Sequence, residues 1–347
     1  MSVRRIVVCE AQVPFVEGGA EYHVRELVRR LHLGGYDAEL VSLPFKWYPK
    51  RELLTHAAAW RLIDLSESNG QPIDVVIASK FPTYFVRHPR KIAWLVHQFR
   101  AAYELCGTPY SDFDHTDEDV GLRERLLTLD REMLMESRHR FAIAKNVADR
   151  LRTFNGLEAD TLYPPPPLAD RLETAPAQNY VLSVGRLETV KRVDLLIRAM
   201  ASVHGSLRLI VVGDGTQREN LERLAETAGV GDRVCFVGRV DVDDLVRLYA
   251  EALAIVFAPY DEDYGYVTLE AFLSHKPVIT ATDSGGPREF VDDGVTGLVC
   301  HPEPESLADA IERVANDRVL ATALGDAGYE RARLVTWEGV IERLLAE

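Results

Sequence analysis

Strand-like and helix-like segments alternate along this chain, and the alternation constrains its fold more than any other feature. In the first half, short apolar runs typical of buried strands lie at 4–10, 38–43, 74–79, 92–97, 141–144 and 159–162. Between them, helical periodicity is found at 20–33, 51–66, 122–138 and 147–154. This order predicts a parallel sheet with helices on both faces, because parallel neighbours are joined by crossover helices.

A run of prolines at 164–167 ends this pattern, because proline continues neither a helix nor a central strand. The alternation then resumes, with strand-like runs at 180–185, 207–212, 233–237, 253–258, 277–281 and 297–300 and helix-like segments at 192–203, 217–228, 243–251, 266–275 and 305–315. We therefore expect an α/β fold of two doubly wound, Rossmann-like domains that face each other across a cleft. Ligands of such sheets bind at the carboxyl ends of the strands, so the cleft is the expected site.

The predicted domains are an N-terminal one over 1–165 and a C-terminal one over 166–328. The amphipathic segment 329–347, which contains Trp337, is expected to return onto the N-terminal domain.

The composition indicates a well-packed protein and limits its partners. Of 347 residues 47% are apolar, and the longest apolar runs are far shorter than the roughly 20 residues of a membrane-spanning helix. Residues 1–170 have 22 basic and 24 acidic side chains, whereas 171–347 have 18 and 30, which argues against a nucleic-acid partner. The N-terminus has no secretory pattern, so we expect a cytoplasmic protein with at most peripheral contact at the inner membrane face.

Two glutamates, Glu262 and Glu270, flank the passage from the strand-like run at 253–258 into a helix predicted at 267–274. Carboxylates accept hydrogen bonds from hydroxyl groups, so Glu262 on the loop suits a sugar and Glu270 the two hydroxyls of a ribose. The N-terminus of the helix suits a diphosphate, bound around Gly265, Tyr266 and Val267. Taken alone, two glutamates at this separation are also typical of a solvated face.

A second corner, from the strand-like run at 180–185 into the next helix, carries Arg186 and Lys191. A forked guanidinium and an ammonium at the carboxyl end of a strand suit an ionised pyrophosphate. The two corners together therefore predict a sugar-nucleotide site.

The spacing of these corners and the run VGRLETVKRVDLLIRA resemble the retaining family 4 glycosyltransferases of GT-B fold, over essentially the whole chain. The resemblance implies a nucleoside-diphosphate sugar as donor, a carbohydrate or lipid-linked acceptor on the side of the N-terminal domain, and a place in polysaccharide or glycolipid assembly. It also implies that His97 contacts the transferred sugar, that Gly18 and Gly19 form a glycine-rich loop near the donor phosphates, and that Val240 ends a base-binding edge. Glu262 and His97 are then the residues closest to the chemistry. A lone histidine at a strand end is more often structural.

We expect no cofactor and no metal. The aspartates at 112–114, 241–243 and 261–263 have the D-x-D spacing of a metal site, but Arg186, Lys191 and the helix end supply positive charge without one. The acidic run at 112–119 is interpreted as an exposed loop. Cys9, Cys235 and Cys300 lie in apolar runs and are expected to be buried free thiols.

Some features depart from the family pattern, since Asp263, Tyr264, Tyr266 and Ala144 stand where other residues are frequent. These departures leave the donor sugar, the nucleobase and the acceptor open. Two alternatives also remain: a sugar-nucleotide epimerase on the same fold, and a non-catalytic sugar-nucleotide-binding subunit. If each glutamate has its own partner, Glu262→Gln should leave the affinity for a bare nucleoside diphosphate almost unchanged.

Overall fold

The structure is a computed structural model, and it describes residues 4–16 and 18–346. The chain forms two compact units. The first comprises the residues up to Pro164 and the segment from Trp337 onward, and the second comprises Pro165–Thr336. The boundary at Pro164 lies inside the proline run, where no strand or helix continues from one unit into the other.

The strands are β1 (Arg5–Gln12), β2 (Asp37–Pro44), β3 (Glu67–Ser68), β4 (Gln71–Pro72), β5 (Val75–Lys80), β6 (Lys91–His97), β7 (His139–Ala142), β8 (Asp160–Thr161), β9 (Tyr180–Val184), β10 (Arg208–Val212), β11 (Val234–Gly238), β12 (Ala254–Val256), β13 (Val278–Ala281) and β14 (Gly297–Cys300). The α-helices are α1 (Gly19–Leu33), α2 (Glu52–Leu62), α3 (Asp117–Met135), α4 (Lys145–Asn155), α5 (Val193–Ser202), α6 (Arg218–Thr227), α7 (Val242–Glu251), α8 (Tyr266–Leu273), α9 (Pro304–Asn316), α10 (Arg318–Ala332) and α11 (Trp337–Leu345).

The first unit is built on a parallel sheet with strand order β2-β1-β5-β6-β7-β8. Its central strand β5 is buried along its whole length, as expected where helices cover both faces of a parallel sheet. The chain first moves outward from β1 to β2 and then returns to the other side of β1, so the order reverses between β1 and β5.

The second unit repeats this plan with the parallel order β11-β10-β9-β12-β13-β14. Its order reverses between β9 and β12, whose carboxyl ends therefore have crossovers leaving in opposite directions. Such a switch point opens a crevice in which doubly wound sheets bind ligands. The prediction of two doubly wound, Rossmann-like halves is confirmed.

The C-terminal segment divides at Trp337 and not at residue 329. Tyr329 continues helix α10 of the second unit, whereas α11 packs on the first unit. The Trp337 ring is buried and lies edge-on to Trp94, with centroids 6.2 Å apart, and Arg343 donates to the carbonyl of Thr161 at 3.1 Å. The amphipathic pattern continues from residue 329 through 333–336, where α10 has ended and α11 has not yet begun. The sequence pattern therefore does not reveal that this segment belongs to two helices.

Two expectations about exposure are wrong. The acidic run at 112–119 is not wholly an exposed loop, because Asp117 begins α3 and the buried Asp119 carboxylate accepts from Lys50 Nζ at 2.8 Å. Cys235 is exposed and Cys300 half-buried, although both were expected to be buried, because β11 and β14 are the two edges of the sheet and each has a neighbour on one side only. The apolar run around Cys235 does not reveal that position.

Candidate functional site

The switch point of the second unit brings together the two corners singled out from the sequence. The corner with Arg186 and Lys191 follows β9, and the loop with Glu262 follows β12, which pairs directly with β9. Arg186 and Lys191 line one pocket together with Gly185, Leu187, Phe257 and Ala258. Tertiary structure therefore places the predicted phosphate-binding cations beside the predicted sugar-binding loop.

Arg186 is exposed at the rim of this pocket, and no hydrogen bond or ion pair joins its guanidinium to any residue in the described ranges. Lys191 lies in a short 3-10 turn, Thr189–Lys191, which precedes the helix α5. Arg192, whose left-handed backbone has a φ of 51°, separates the turn from α5. The pocket therefore holds one available cation, Arg186, and one that is already engaged.

The partner of Lys191 is Glu262, whose Oε2 accepts from Lys191 Nζ. Both side chains are largely withdrawn from solvent, at 18% exposure for Lys191 and 15% for Glu262. From the sequence these residues were assigned to different parts of a ligand, the diphosphate and the sugar. In the structure they form an ion pair with each other, and a ligand that takes either side chain must break the pair.

Arg192 is a structural arginine that the sequence analysis missed. Its guanidinium donates to the carbonyls of Ala258 and Pro259 at 2.9 and 2.7 Å and forms a bidentate pair with Asp283 at 2.8 and 2.7 Å. It thereby ties the corner after β9 to the segments that follow β12 and β13. Lys191 and Arg192 are adjacent cations whose roles the sequence does not distinguish. In the fold, Lys191 lines the pocket, whereas the Arg192 side chain joins neighbouring segments.

The loop carrying Glu262 is held by backbone hydrogen bonds on both sides. The Asp261 and Glu262 amides donate to the carbonyls of Asp283 and Ser284 at 2.9 and 3.0 Å, and the Gly286 amide donates to the Glu262 carbonyl at 2.7 Å. The Tyr260 amide donates to the carbonyl of Val190, next to Lys191, at 2.8 Å. The backbone at Glu262 is therefore held from both sides, and its carboxylate extends from a fixed segment of the loop.

Gly265 connects this loop to α8, which begins at Tyr266. Its φ of 80° lies in the left-handed region that favours glycine. A Cβ at this position would lie 2.7 Å from the ring of Phe257. Tyr266 and Val267 form the first turn of α8, whose N-cap residue, Gly265, has no side chain. The sequence prediction assigns an anion to this helix N-terminus, because helix N-termini favour negative charge.

Glu270 lies one turn further along α8 and is 8% exposed. Its Oε2 accepts a hydrogen bond from the hydroxyl of Tyr249 at 2.7 Å. Burial raises the pKa of the Glu270 carboxyl, and the Tyr249 hydroxyl lowers it. Tyr249 was not identified as a site residue from the sequence. Its position on α7 is typical of an apolar residue on the buried face of the helix and does not indicate a hydrogen-bonding role.

Val240 lies half-buried between β11 and α7, next to Asp241, which caps α7 by accepting from the Asp244 amide at 2.8 Å. The turn Gly213–Gly215, which follows β10, has a structural role. A Cβ on Gly213 would lie 1.9 Å from the carbonyl oxygen of Gly185, so this turn packs directly against the corner that carries Arg186.

The predicted residues of the first unit lie at the carboxyl end of its own sheet. Gly18 caps α1 with an extended backbone, φ −160°, that any residue can adopt, and Gly19 is the first residue of the helix. This φ does not by itself require a glycine at position 18. His97 ends β6, is half-buried, and its Nδ1 lies 2.7 Å from the Gln98 carbonyl oxygen.

Within 4–16 and 18–346, His, Cys, Asp and Glu side chains do not gather in groups of three or more that would hold a metal ion. Over the same described ranges, no helix is both long enough and apolar enough to cross a membrane.

Comparison with known proteins finds a family match in the second unit. The family described as "Glycosyl transferases group 1" matches residues 168–331, which is nearly all of the second unit. The human alpha-1,3/1,6-mannosyltransferase ALG2 is 27% identical over 227 residues, which are 58% of this chain and 54% of that protein. The D-inositol 3-phosphate glycosyltransferase of Nocardia farcinica (strain IFM 10152) is 30% identical over 241 residues, 62% of this chain and 53% of that protein.

The chain thus spans about half the length of these curated relatives. Among solved structures, the sucrose-phosphate synthase of Thermosynechococcus elongatus has a TM-score of 0.80 at 21% identity, covering 98% of this chain and 97% of that one. This similarity concerns the fold. Residues 168–331 therefore match the glycosyl transferases group 1 family, and the two Rossmann-like halves of the chain have the GT-B fold of its structural neighbours.

Proposed function

We propose that the chain is a retaining glycosyltransferase of the hexosyltransferase type, which moves a sugar from a nucleoside-diphosphate sugar to an acceptor hydroxyl. The observation that carries the proposal is the meeting of Arg186 and Lys191 with the Glu262 loop at the switch point of the second unit. The acceptor is a carbohydrate or lipid-linked molecule, in polysaccharide or glycolipid assembly. The enzyme acts in the cytoplasm, with at most peripheral membrane contact.

The roles of the residues follow from their chemistry. Arg186 and Lys191, with the α8 N-terminus at Gly265, Tyr266 and Val267, stabilise the negative charge that develops on the leaving diphosphate. Glu270 accepts from the ribose hydroxyls, and the backbone at Val240 contacts the nucleobase. In the first unit, Gly18 and Gly19 contribute near the donor phosphates.

In the reaction, the bond between the anomeric carbon and the diphosphate oxygen breaks, and the acceptor oxygen attacks the same face. The departing diphosphate oxygen takes the acceptor proton, so no protein nucleophile is required. Glu262 and His97 contact the transferring sugar.

Charge removal in the pocket gives the central test. Arg186→Ala should lower the affinity for a nucleoside diphosphate at least about tenfold, because a charge-assisted hydrogen bond contributes about 1.5–3 kcal/mol. Lys191→Ala should have a smaller effect, because the wild type must first break the pair with Glu262. Calorimetry with UDP, GDP and ADP measures both variants. The control is Arg198→Ala, which removes an exposed cation on α5. Unchanged affinity in both pocket variants would refute the assignment.

The proposed reaction needs no metal, because side-chain cations and the helix end stabilise the diphosphate. Turnover with a nucleotide sugar should therefore be unchanged in excess EDTA. The measurement is nucleotide release in the presence of acceptor, before and after chelation. Loss of turnover that manganese or magnesium restores would show that the mechanism is wrong.

A further inference from the structure

The buried pair of Tyr249 and Glu270 carries an inference that rests on the proposed function and extends it. We infer that Tyr249 is a positioning residue for ribose recognition: its hydroxyl orients the Glu270 carboxylate so that the site prefers ribonucleotides over deoxyribonucleotides. The Tyr249 hydroxyl lies 2.7 Å from Glu270 Oε2, and the ring is fully buried. Tyr249 does not need to touch the ligand in this role.

The environment of Tyr249 requires a ring but not a hydroxyl. On α7 it shares a buried face with Val246 and Ala250, where a phenylalanine would fill nearly the same volume. A buried hydroxyl is unfavourable unless it is hydrogen-bonded, and here it donates to Glu270. The hydrogen bond to the Glu270 carboxylate therefore accounts for the presence of a tyrosine, and not a phenylalanine, at this position.

The hydrogen bond restricts Glu270 in a way that suits a ribose. The terminal torsion of a glutamate is broad, so an unrestrained carboxylate samples many orientations. With Oε2 held by Tyr249, the carboxylate plane has a preferred direction. The carboxylate has about four lone-pair sites and Tyr249 uses one of them, which leaves enough for both ribose hydroxyls.

The bond also favours the charged form of Glu270. Burial raises the pKa of this carboxyl, and the Tyr249 hydroxyl opposes the rise. In turn, burial and the neighbouring carboxylate raise the pKa of Tyr249, so the phenol remains the donor. Since only the ionised carboxylate accepts from both ribose hydroxyls, affinity for a ribonucleotide should fall as pH falls through the Glu270 pKa.

The test compares Tyr249→Phe with the wild type, using UDP, GDP or ADP, whichever binds, and its 2′-deoxy counterpart. In calorimetry, Tyr249→Phe should weaken ribonucleotide binding about five- to tenfold and deoxynucleotide binding less than about twofold. The matched control is Tyr180→Phe, which removes a buried hydroxyl that donates to the Leu248 carbonyl of the same helix at 2.8 Å. That control should keep the wild-type ratio of the two affinities.

A second measurement uses pH. Without the hydroxyl that lowers it, the Glu270 pKa should rise further, so Tyr249→Phe should lose ribonucleotide affinity at a higher pH than the wild type or Tyr180→Phe. In a Glu270→Gln background, Tyr249→Phe should change the ribose preference no further. Each of these results would support coupling through the carboxylate.

Contrary results separate this inference from the proposed function. Equal weakening of both nucleotides by Tyr249→Phe, or a ribose preference that survives it unchanged, would overturn the positioning role and leave the proposed function intact. A wild-type protein that binds none of the three nucleoside diphosphates would overturn the proposed function itself, and this inference with it.

Discussion

Glu262→Gln is expected to bind a bare nucleoside diphosphate about tenfold more tightly than the wild type, a change of about 1.4 kcal/mol. The reason is the ion pair in the ligand-free pocket, where Lys191 Nζ donates to Glu262 Oε2 and both side chains are largely buried. A diphosphate must compete with Glu262 for Lys191. Removing the carboxylate charge weakens that competition, so the ammonium becomes available to the phosphate oxygens. The ion pair thus replaces the unchanged affinity expected from the sequence with a gain in affinity.

The same variant should turn over saturating donor about a hundredfold more slowly, as is typical when one preorganised polar contact to the transition state is lost. Glu262 is expected to hold the sugar hydroxyls as positive charge develops at the anomeric carbon, so its favourable contribution appears in turnover, whereas its effect on nucleotide binding is unfavourable. Calorimetry with the nucleoside diphosphate and rates on saturating nucleotide sugar measure the two effects separately.

The control for net charge is Glu219→Gln, on the exposed surface of α6. It should change neither quantity. Weaker nucleotide binding by Glu262→Gln would mean that Glu262 itself contacts the nucleotide, and full turnover would mean that it does not face the sugar.

Gly265→Ala should lower the melting temperature by about 10 °C, corresponding to about 2–5 kcal/mol in a unit of this size. Two effects add at this position. The φ of 80° disfavours any residue with a Cβ, and the added Cβ would lie 2.7 Å from the ring of the buried Phe257. Because Lys191 Nζ lies 5.6 Å from the centroid of that ring, a displaced Phe257 should also disturb the pocket and weaken nucleotide binding.

Gly294→Ala separates the two effects. Gly294 has a φ of 71°, but a Cβ there would meet nothing within 4 Å, so it has the backbone penalty without the clash. Its melting temperature should fall by only about 4 °C. The double variant Gly265→Ala with Phe257→Leu should be more stable than the sum of the two single changes predicts, because a smaller side chain accommodates the methyl group. Equal losses for Gly265→Ala and Gly294→Ala in calorimetric melts would exclude the packing term.

Much of the fold was predictable because it rests on local patterns. Apolar runs of strand length that alternate with helical periodicity predict two parallel sheets. This prediction does not depend on which strands are neighbours in each sheet. The proline run near Pro164 breaks that pattern by its covalent geometry alone. The segments that carry Arg186, Lys191 and Glu262 could be placed at strand ends for the same reason, because residues just after a parallel strand lie at the carboxyl edge of the sheet.

The strand order within each sheet was not predictable, since the chain can return to either side of β9. Only the pairing of β9 with β12 puts the two corners beside each other. The exposure of Cys235 likewise depends on which strand forms the edge.

The sequence by itself determined the fold class, the family resemblance and the chemical types of the candidate site, because these follow from periodicity, breakers and short motifs. Only the tertiary structure decided which side chains meet. It pairs Lys191 with Glu262, turns the adjacent Arg192 into a clamp on Asp283, and places the Tyr249 hydroxyl on Glu270. Each of these contacts joins residues from different crossovers, with separations of 71, 91 and 21 positions along the chain. Local pattern carries no information on such pairs, because their geometry is set by the packing of whole elements.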